Sequence, residues 1–381
     1  MFWKYVLFEL KLLLSNRKNW LLGIIVLLFF PLYFSVYSQT EAETLSEKKL
    51  KESEKFTTTF FQFPDAFRET PEGKEIYDNL TEQLSLINMQ RYYVRIREDV
   101  HYVDNGLRLN ELRLQMHERG NKGISQYLVV PKEEIFKEEA LLRYNKEHQL
   151  PLQPDPFVAS NYLPVAMNTI SGLFFCLFVL IAGSGMLVHE QQNRSVVSGF
   201  PISFMKKING KVSIHFIQIF LFLILGISLG GIYVAQKAAI GNFATPVLLY
   251  QNGDFVAVST GTYLVYMLIA LALITLLLLY GTALLNLLTR NMYATVLILL
   301  VVFFLPDLLV TAGIEMTWLH PIKYIDIGAV LSGNLAAEFG NSKLDYKHAF
   351  PWLIALNLIV LVILYGKNKL TYIRKVPIKL M

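Results

Sequence analysis

Few residues of the types that do covalent chemistry stand at spacings that would let them do it. Gly210-Lys211 has neither the upstream glycine nor the following Ser/Thr of a phosphate-binding GxxxxGK[ST] loop, so ATP would not bind by that route. His189-Glu190 starts like the zinc motif HExxH, but Asn193 occupies the place of the second histidine. Gly183-Ser184-Gly185 sits in an apolar block and does not fit a GxSxG nucleophile elbow. The seven histidines are scattered without ligand spacing, and the single cysteine, Cys176, allows neither an internal disulfide nor a thiolate cluster. No catalytic constellation emerges, and the chain is not expected to be an enzyme or to hold a cofactor or metal.

Polar residues inside apolar blocks are a different signal, because burying them in hydrocarbon is costly. Asp307 follows Pro306 in one such block, either lining a path or acting as a conformational latch, or simply lying near an interface past a proline-broken helix. His215 and Gln218 stand one helical turn apart in another block and are candidate pathway residues, as well as candidates for helix-helix hydrogen bonds. Asn168 and Asn357 read as inter-helix hydrogen-bonding residues.

The strongest local signal is the short basic island from His189 to Lys211. Pro201 suits the first turn of a short helix, since its fixed φ fits there and its missing N–H is not needed. Phe200, Ile202, Phe204 and Met205 give that helix an apolar face, Asn209-Gly210 is expected to close it, and Lys206, Lys207 and Lys211 face headgroups or an acidic partner. Such a helix can fit a cleft in a soluble protein, or form an interfacial turn with no partner.

The elements that must hold this island follow from composition. Of 381 residues, 54% are hydrophobic and 17% charged, with the apolar ones in blocks long enough to cross hydrocarbon. Residues 1–19 form an amphipathic stretch, with Phe2, Trp3, Val6, Leu7, Leu10, Leu13 and Leu14 on one face, which favours a helix lying in the membrane interface. Trp20 to Ser38 is the first span, with a cleaved signal peptide as the rival reading. Five more spans fall near 164–187, 213–235, 262–287, 293–312 and 351–366, and 313–350 reads as a re-entrant or interfacial segment. Domains are therefore expected over 1–38, 39–160 and 161–381.

Residues 39–160 carry 17 Lys/Arg and 22 Asp/Glu, against 18 and 8 in the remainder. That acidic stretch reads as a mainly helical, water-facing domain, with helices near 73–99, 106–119 and 131–148. Ile76, Leu80, Leu84 and Ile87 share one face of the first, Pro131 suits a first-turn position, and Gly120 and Gly123 mark a turn. Phe56, Phe60, Phe61, Phe63 and Phe67 form its core or face the membrane surface. Counting six spans, the flanks 1–19, 189–211, 288–292 and 367–381 hold fourteen basic residues and two acidic ones, Glu9 and Glu190. The positive-inside bias puts these flanks and both termini in the cytoplasm and the 39–160 domain outside the cell. The isoelectric point near 9.0 then reflects membrane flanks, not nucleic acid.

Glu190, Pro201-Ile202-Ser203 and Gly210-Lys211, with this order of spans, resemble the loop and layout of type-2 ABC exporter permeases with a large outer domain between the first and second spans. Where that family has a Gly-Thr pair, this chain has Gln192-Asn193. The resemblance implies an all-α polytopic subunit of a bacterial plasma membrane, paired with an identical or related permease. Two separate ATPase subunits carrying ATP and Mg would grip Glu190, Phe200, Pro201, Ser203, Phe204, Met205, Gly210 and Lys211. It implies export of an amphipathic or hydrophobic substrate, such as an antimicrobial peptide, drug or lipid. Sodium export by a permease of the same family is an alternative, for which Asp307 is the one good carboxylate. Another is a non-transporting sensor or immunity protein whose outer domain binds a peptide.

Overall fold

The computed structural model describes residues 2–40, 43–187, 202–314 and 316–373. Among these the chain is dominated by helices, with one two-stranded antiparallel sheet. Five helices are long and apolar enough to cross a membrane: α2 (Arg17–Thr40), α10 (Phe204–Lys237), α11 (Thr260–Thr289), α12 (Met292–Thr311) and α15 (Tyr346–Ile373). A sixth span forms if α8 (Ala159–Ile170) and α9 (Leu173–Gly183), bent by 61° at Ser171-Gly172, count as one. These helices are those of a multi-pass membrane protein.

Contacts divide the chain into two compact units. The polar unit comprises residues 34–164 and 234–263, and the apolar unit 1–33, 165–233 and 264–381.

In the polar unit, α3 (Leu45–Phe61), α5 (Pro71–Ile96), α6 (Asp99–Glu118) and α7 (Lys132–His148) pack together, with one-turn α4 (Asp65–Arg68) against α5. Their starts are chemically marked. Thr44 and Glu47 form a reciprocal capping box, the Thr44 hydroxyl accepting from Glu47 N at 3.3 Å while Glu47 accepts from Thr44 N at 2.7 Å. Thr70 caps α5 ahead of Pro71. Ile76, Leu80 and Ile87 are fully buried, as their helical spacing requires. Pro131 lies just outside α7 rather than in its first turn, and α6 begins at Asp99, well before 106. Polar Asn105 and Gly106 break the apolar period that would extend α6 backward. Yet Gly106 is where the bundle closes, since a Cβ there would stand 2.6 Å from Leu142. Phe63 is buried beside Ile76, Leu80 and Met116, with Phe56, Phe60 and Phe67 packed around it, while Phe61 is 81% exposed.

The sheet is a departure from the all-α expectation. β1 (Pro246–Gln251) pairs with β2 (Asp254–Ser259), Val247 opposite Val258 and Gln251 opposite Asp254. Asn252 and Gly253 take φ of 55° and 88°, the left-handed turn that suits the right-handed twist of a hairpin. The hairpin packs on α7, where the Lys137 ammonium lies 4.2 Å from the centre of the Phe255 ring.

In the apolar unit, α1 (Phe2–Ser15) is a separate helix before α2. Trp3, Leu7, Leu10 and Leu14 are exposed, whereas Tyr5, Glu9 and Leu13 form the buried stripe. Between α12 and α15 a 3-10 helix (Thr317–Ile325), α13 (Ile327–Leu331) and α14 (Asn334–Glu338) fill the segment that is too broken for a full span.

Candidate functional site

Glu190, Phe200 and Pro201, expected in the coupling loop, lie outside the described residues. Ser203 immediately precedes α10; Phe204 and Met205 are in its first turn, and Gly210 and Lys211 in its second. Asn209-Gly210 therefore does not close a short helix: α10 runs through it without a break. The physical reason lies across the interface. The Phe2 and Tyr5 rings of α1 pack over this turn, 3.5 Å from where a Gly210 side chain would begin, and α10 continues beneath them.

Directly after it, the Lys211 ammonium meets the Glu9 carboxylate at 2.8 Å, with side chains 5% and 10% exposed. Removing either partner would leave an unpaired buried charge, which makes the pair a firm lock between α1 and the start of α10. At the other border of the loop, Lys18 of α2 donates to the Ile181 carbonyl at 2.8 Å and to the Ser184 hydroxyl at 3.4 Å. Asn286 of α11 donates to the Ser184 carbonyl at 3.0 Å and accepts from Thr295 of α12 at 2.8 Å. These donors satisfy carbonyls that the end of α9 leaves without helical partners. Both borders of 188–201 are thus pinned, one by α1 and the other by α2 and α11.

His215 and Gln218 continue the Lys211 stripe along α10. His215 Nδ1 and Gln218 Oε1 are buried without a hydrogen-bond partner among the described residues. Asp307 is not near them in contact. It pairs with Lys323 of the 3-10 helix at 2.5 Å, and the Lys323 ammonium also lies 5.9 Å from the centre of the Phe304 ring and 5.8 Å from that of Phe339. Three residues on, Asp326 accepts from Ala329 N at 3.3 Å and so caps α13. One of its carboxylate oxygens stands 3.3 Å from where a Gly172 side chain would begin, at the start of α9. A carboxylate there answers the positive end of the half-helix dipole. Gly328 packs more closely still, a Cβ there standing 2.4 Å from the Ser171 hydroxyl and 2.9 Å from the Asn168 carbonyl oxygen. The 326–328 corner therefore fills the break in the bent helix pair.

Sequence reasoning singled out Asp307 and Lys211 but missed their partners Lys323 and Glu9, as well as Lys18 and Asp326. Each missed residue is a charge beside an apolar run, and for Lys323 and Glu9 the available signal was the opposite sign of Asp307 and Lys211 in another apolar segment. Asn357 does make the inter-helix bond expected of it, donating to Leu273 O of α11 at 3.0 Å.

No family model, no curated protein and no solved structure matches this chain. Among the described residues no three His, Cys, Asp or Glu side chains are grouped to hold a metal ion.

Proposed function

We propose that the chain is the membrane-spanning permease subunit of an ATP-driven exporter of the type-2 ABC class, moving an amphipathic or hydrophobic substrate out of a bacterial cell. On this reading both termini and the 188–211 segment are cytoplasmic, and the polar unit is extracellular. A second permease chain, identical or related, completes the pathway. ATP and Mg belong to two separate ATPase subunits. The observation that carries the reading is the pinning of both borders of 188–201. A segment held by Glu9–Lys211 on one side and by Lys18 and Asn286 on the other passes a push to α1, α2, α9, α10 and α11 together. Energy then enters as motion of packed helices, with no group of this chain reacting. The Asp307–Lys323 pairing favours an amphipathic cargo over sodium, because the carboxylate is already neutralised.

The test is co-expression with candidate ABC ATPase subunits, followed by co-purification and substrate-stimulated ATP hydrolysis in proteoliposomes. Phe204→Asp and Met205→Asp are expected to weaken ATPase capture about ten-fold or more, the loss of one buried apolar anchor worth ~1.4 kcal/mol. Unchanged capture and unchanged stimulated hydrolysis would remove the proposal.

A further inference from the structure

The polar unit has two ends, and contacts within it tell them apart. At one end Phe63, Ile76, Leu80 and Met116 cluster. At the other, Tyr93, Val94, Leu45 and Leu152 pack around Tyr102, Val103 and Leu142. Leu45 opens α3 five residues after α2 closes at Thr40, and its N–H donates to the Pro154 carbonyl at 3.0 Å, five residues before α8 opens at Ala159. The turn joining α5 to α6 therefore lies at the end where the chain arrives from one apolar helix and departs into another.

That turn has an unusual surface for an acidic unit. Tyr92, Ile96 and Val100 are exposed, Val100 by 71%. Arg95 and Arg97 are exposed beside them and make no ion pair with any described residue. Nearby, Lys51 pairs with Glu43 and Lys146 with Asp104. Glu98 and Asp99 open α6, where the helix dipole favours acids. Arg97 itself takes φ 58° and ψ 41°, closing α5 in the left-handed region where glycine is the unstrained residue.

We infer that the α5–α6 turn is a lipid-contacting foot: Tyr92, Ile96 and Val100 enter the headgroup layer of the adjoining bilayer while Arg95 and Arg97 bind phospholipid phosphates. Exposed rings and aliphatics flanked by cations are the chemistry of interfacial binding. Guanidinium pairs phosphate bidentately, and each cation at an anionic surface is worth about a five-fold gain in partitioning. The foot would steady the polar unit on the membrane whether or not the chain is a transporter subunit.

The test uses the full-length chain in liposomes with no partner protein. Cys176 is buried, so Val100→Cys gives one reactive thiol for a fluorophore, and Gln126→Cys gives a control at the other end. Brominated phosphatidylcholine, with and without phosphatidylglycerol, is the quencher. Quenching is expected to be several-fold stronger at 100 than at 126, and to rise with the anionic lipid. Arg97→Gly relieves the backbone, so its thermal midpoint should hold or rise while quenching at 100 falls several-fold; Arg95→Gln, on an exposed helix position, should lower it as well. Equal quenching at 100 and 126 overturns the inference. So does unchanged quenching in the well-folded Arg variants. ATPase capture plays no part in this measurement, so either proposal can fail alone.

Discussion

Single charges in apolar surroundings decide much of this molecule's local structure. Asp307 and Lys323 illustrate how a buried cation depends on its partner: Lys323 is 7% exposed and Asp307 30%. Asp307→Asn should destabilise the apolar unit by roughly 2 kcal/mol, less than a fully buried pair would lose because the carboxylate is partly solvated. Asp307→Asn with Lys323→Met should recover most of that, since the orphaned ammonium is gone. Denaturation midpoints of the detergent-solubilised chain would check both, and equal losses in the single and double variants would contradict the pairing. At this scale the sequence was half legible. Asp307 stood out after Pro306 in an apolar block, but nothing local distinguished Lys323 or Glu9 from a solvated flank, because the partner of each is remote in sequence.

Elements were read best where a period repeats over many residues. The apolar blocks matched helices because burial of backbone polar groups in hydrocarbon leaves few other structures. The interfaces between them rest on small residues that no period marks. Gly226 and Gly230 of α10 meet Phe30 of α2, and a methyl at Gly230 would stand 2.4 Å from Phe30 Cβ. Gly230→Ala should cost about 1–3 kcal/mol by overpacking, read as a lowered thermal midpoint. Gly253→Ala should weaken the hairpin by about 1 kcal/mol, because φ of 88° suits glycine alone, and amide exchange across β1 and β2 would report it. The hairpin shows a signal passed over. Asn252-Gly253 stands between runs of β-branched and aromatic residues, a strong turn signature, but the stretch lies between two long apolar blocks that dominate any window.

The two units are held by different forces, and acid should separate them. In the polar unit Lys49 bonds Glu138 at 2.9 Å and Glu52 at 2.8 Å, and Arg113 joins both carboxylates. Burial works against the Glu52 carboxylate, but Lys49 and Arg113 outweigh it and hold its pKa below the ordinary value. Burial likewise opposes the Lys49 charge, yet Glu138, Tyr102 and Glu52 raise its pKa above that of a free lysine. A depressed carboxylate stabilises fully above its unfolded pKa, near 4.3, and loses this as pH falls through the folded value. A raised lysine stabilises fully below about 10.4 and loses this as pH rises further. The polar unit should therefore be flat in stability around neutrality and fail first in acid, giving two circular-dichroism transitions below pH 4 or so, and one after Glu52→Gln with Arg113→Met. By itself the sequence determined the helical, membrane-spanning character of the chain and the acidic contrast of the middle stretch, because hydrophobic period and charge are local and additive. Only the tertiary structure decided that the basic island's borders are locked by Glu9, Lys18 and Asn286. It alone carried α10 through Gly210 and placed Arg95 and Arg97 at the end where the chain meets its apolar helices. Those outcomes depend on which remote side chains share a buried space, and no window along the chain contains both partners.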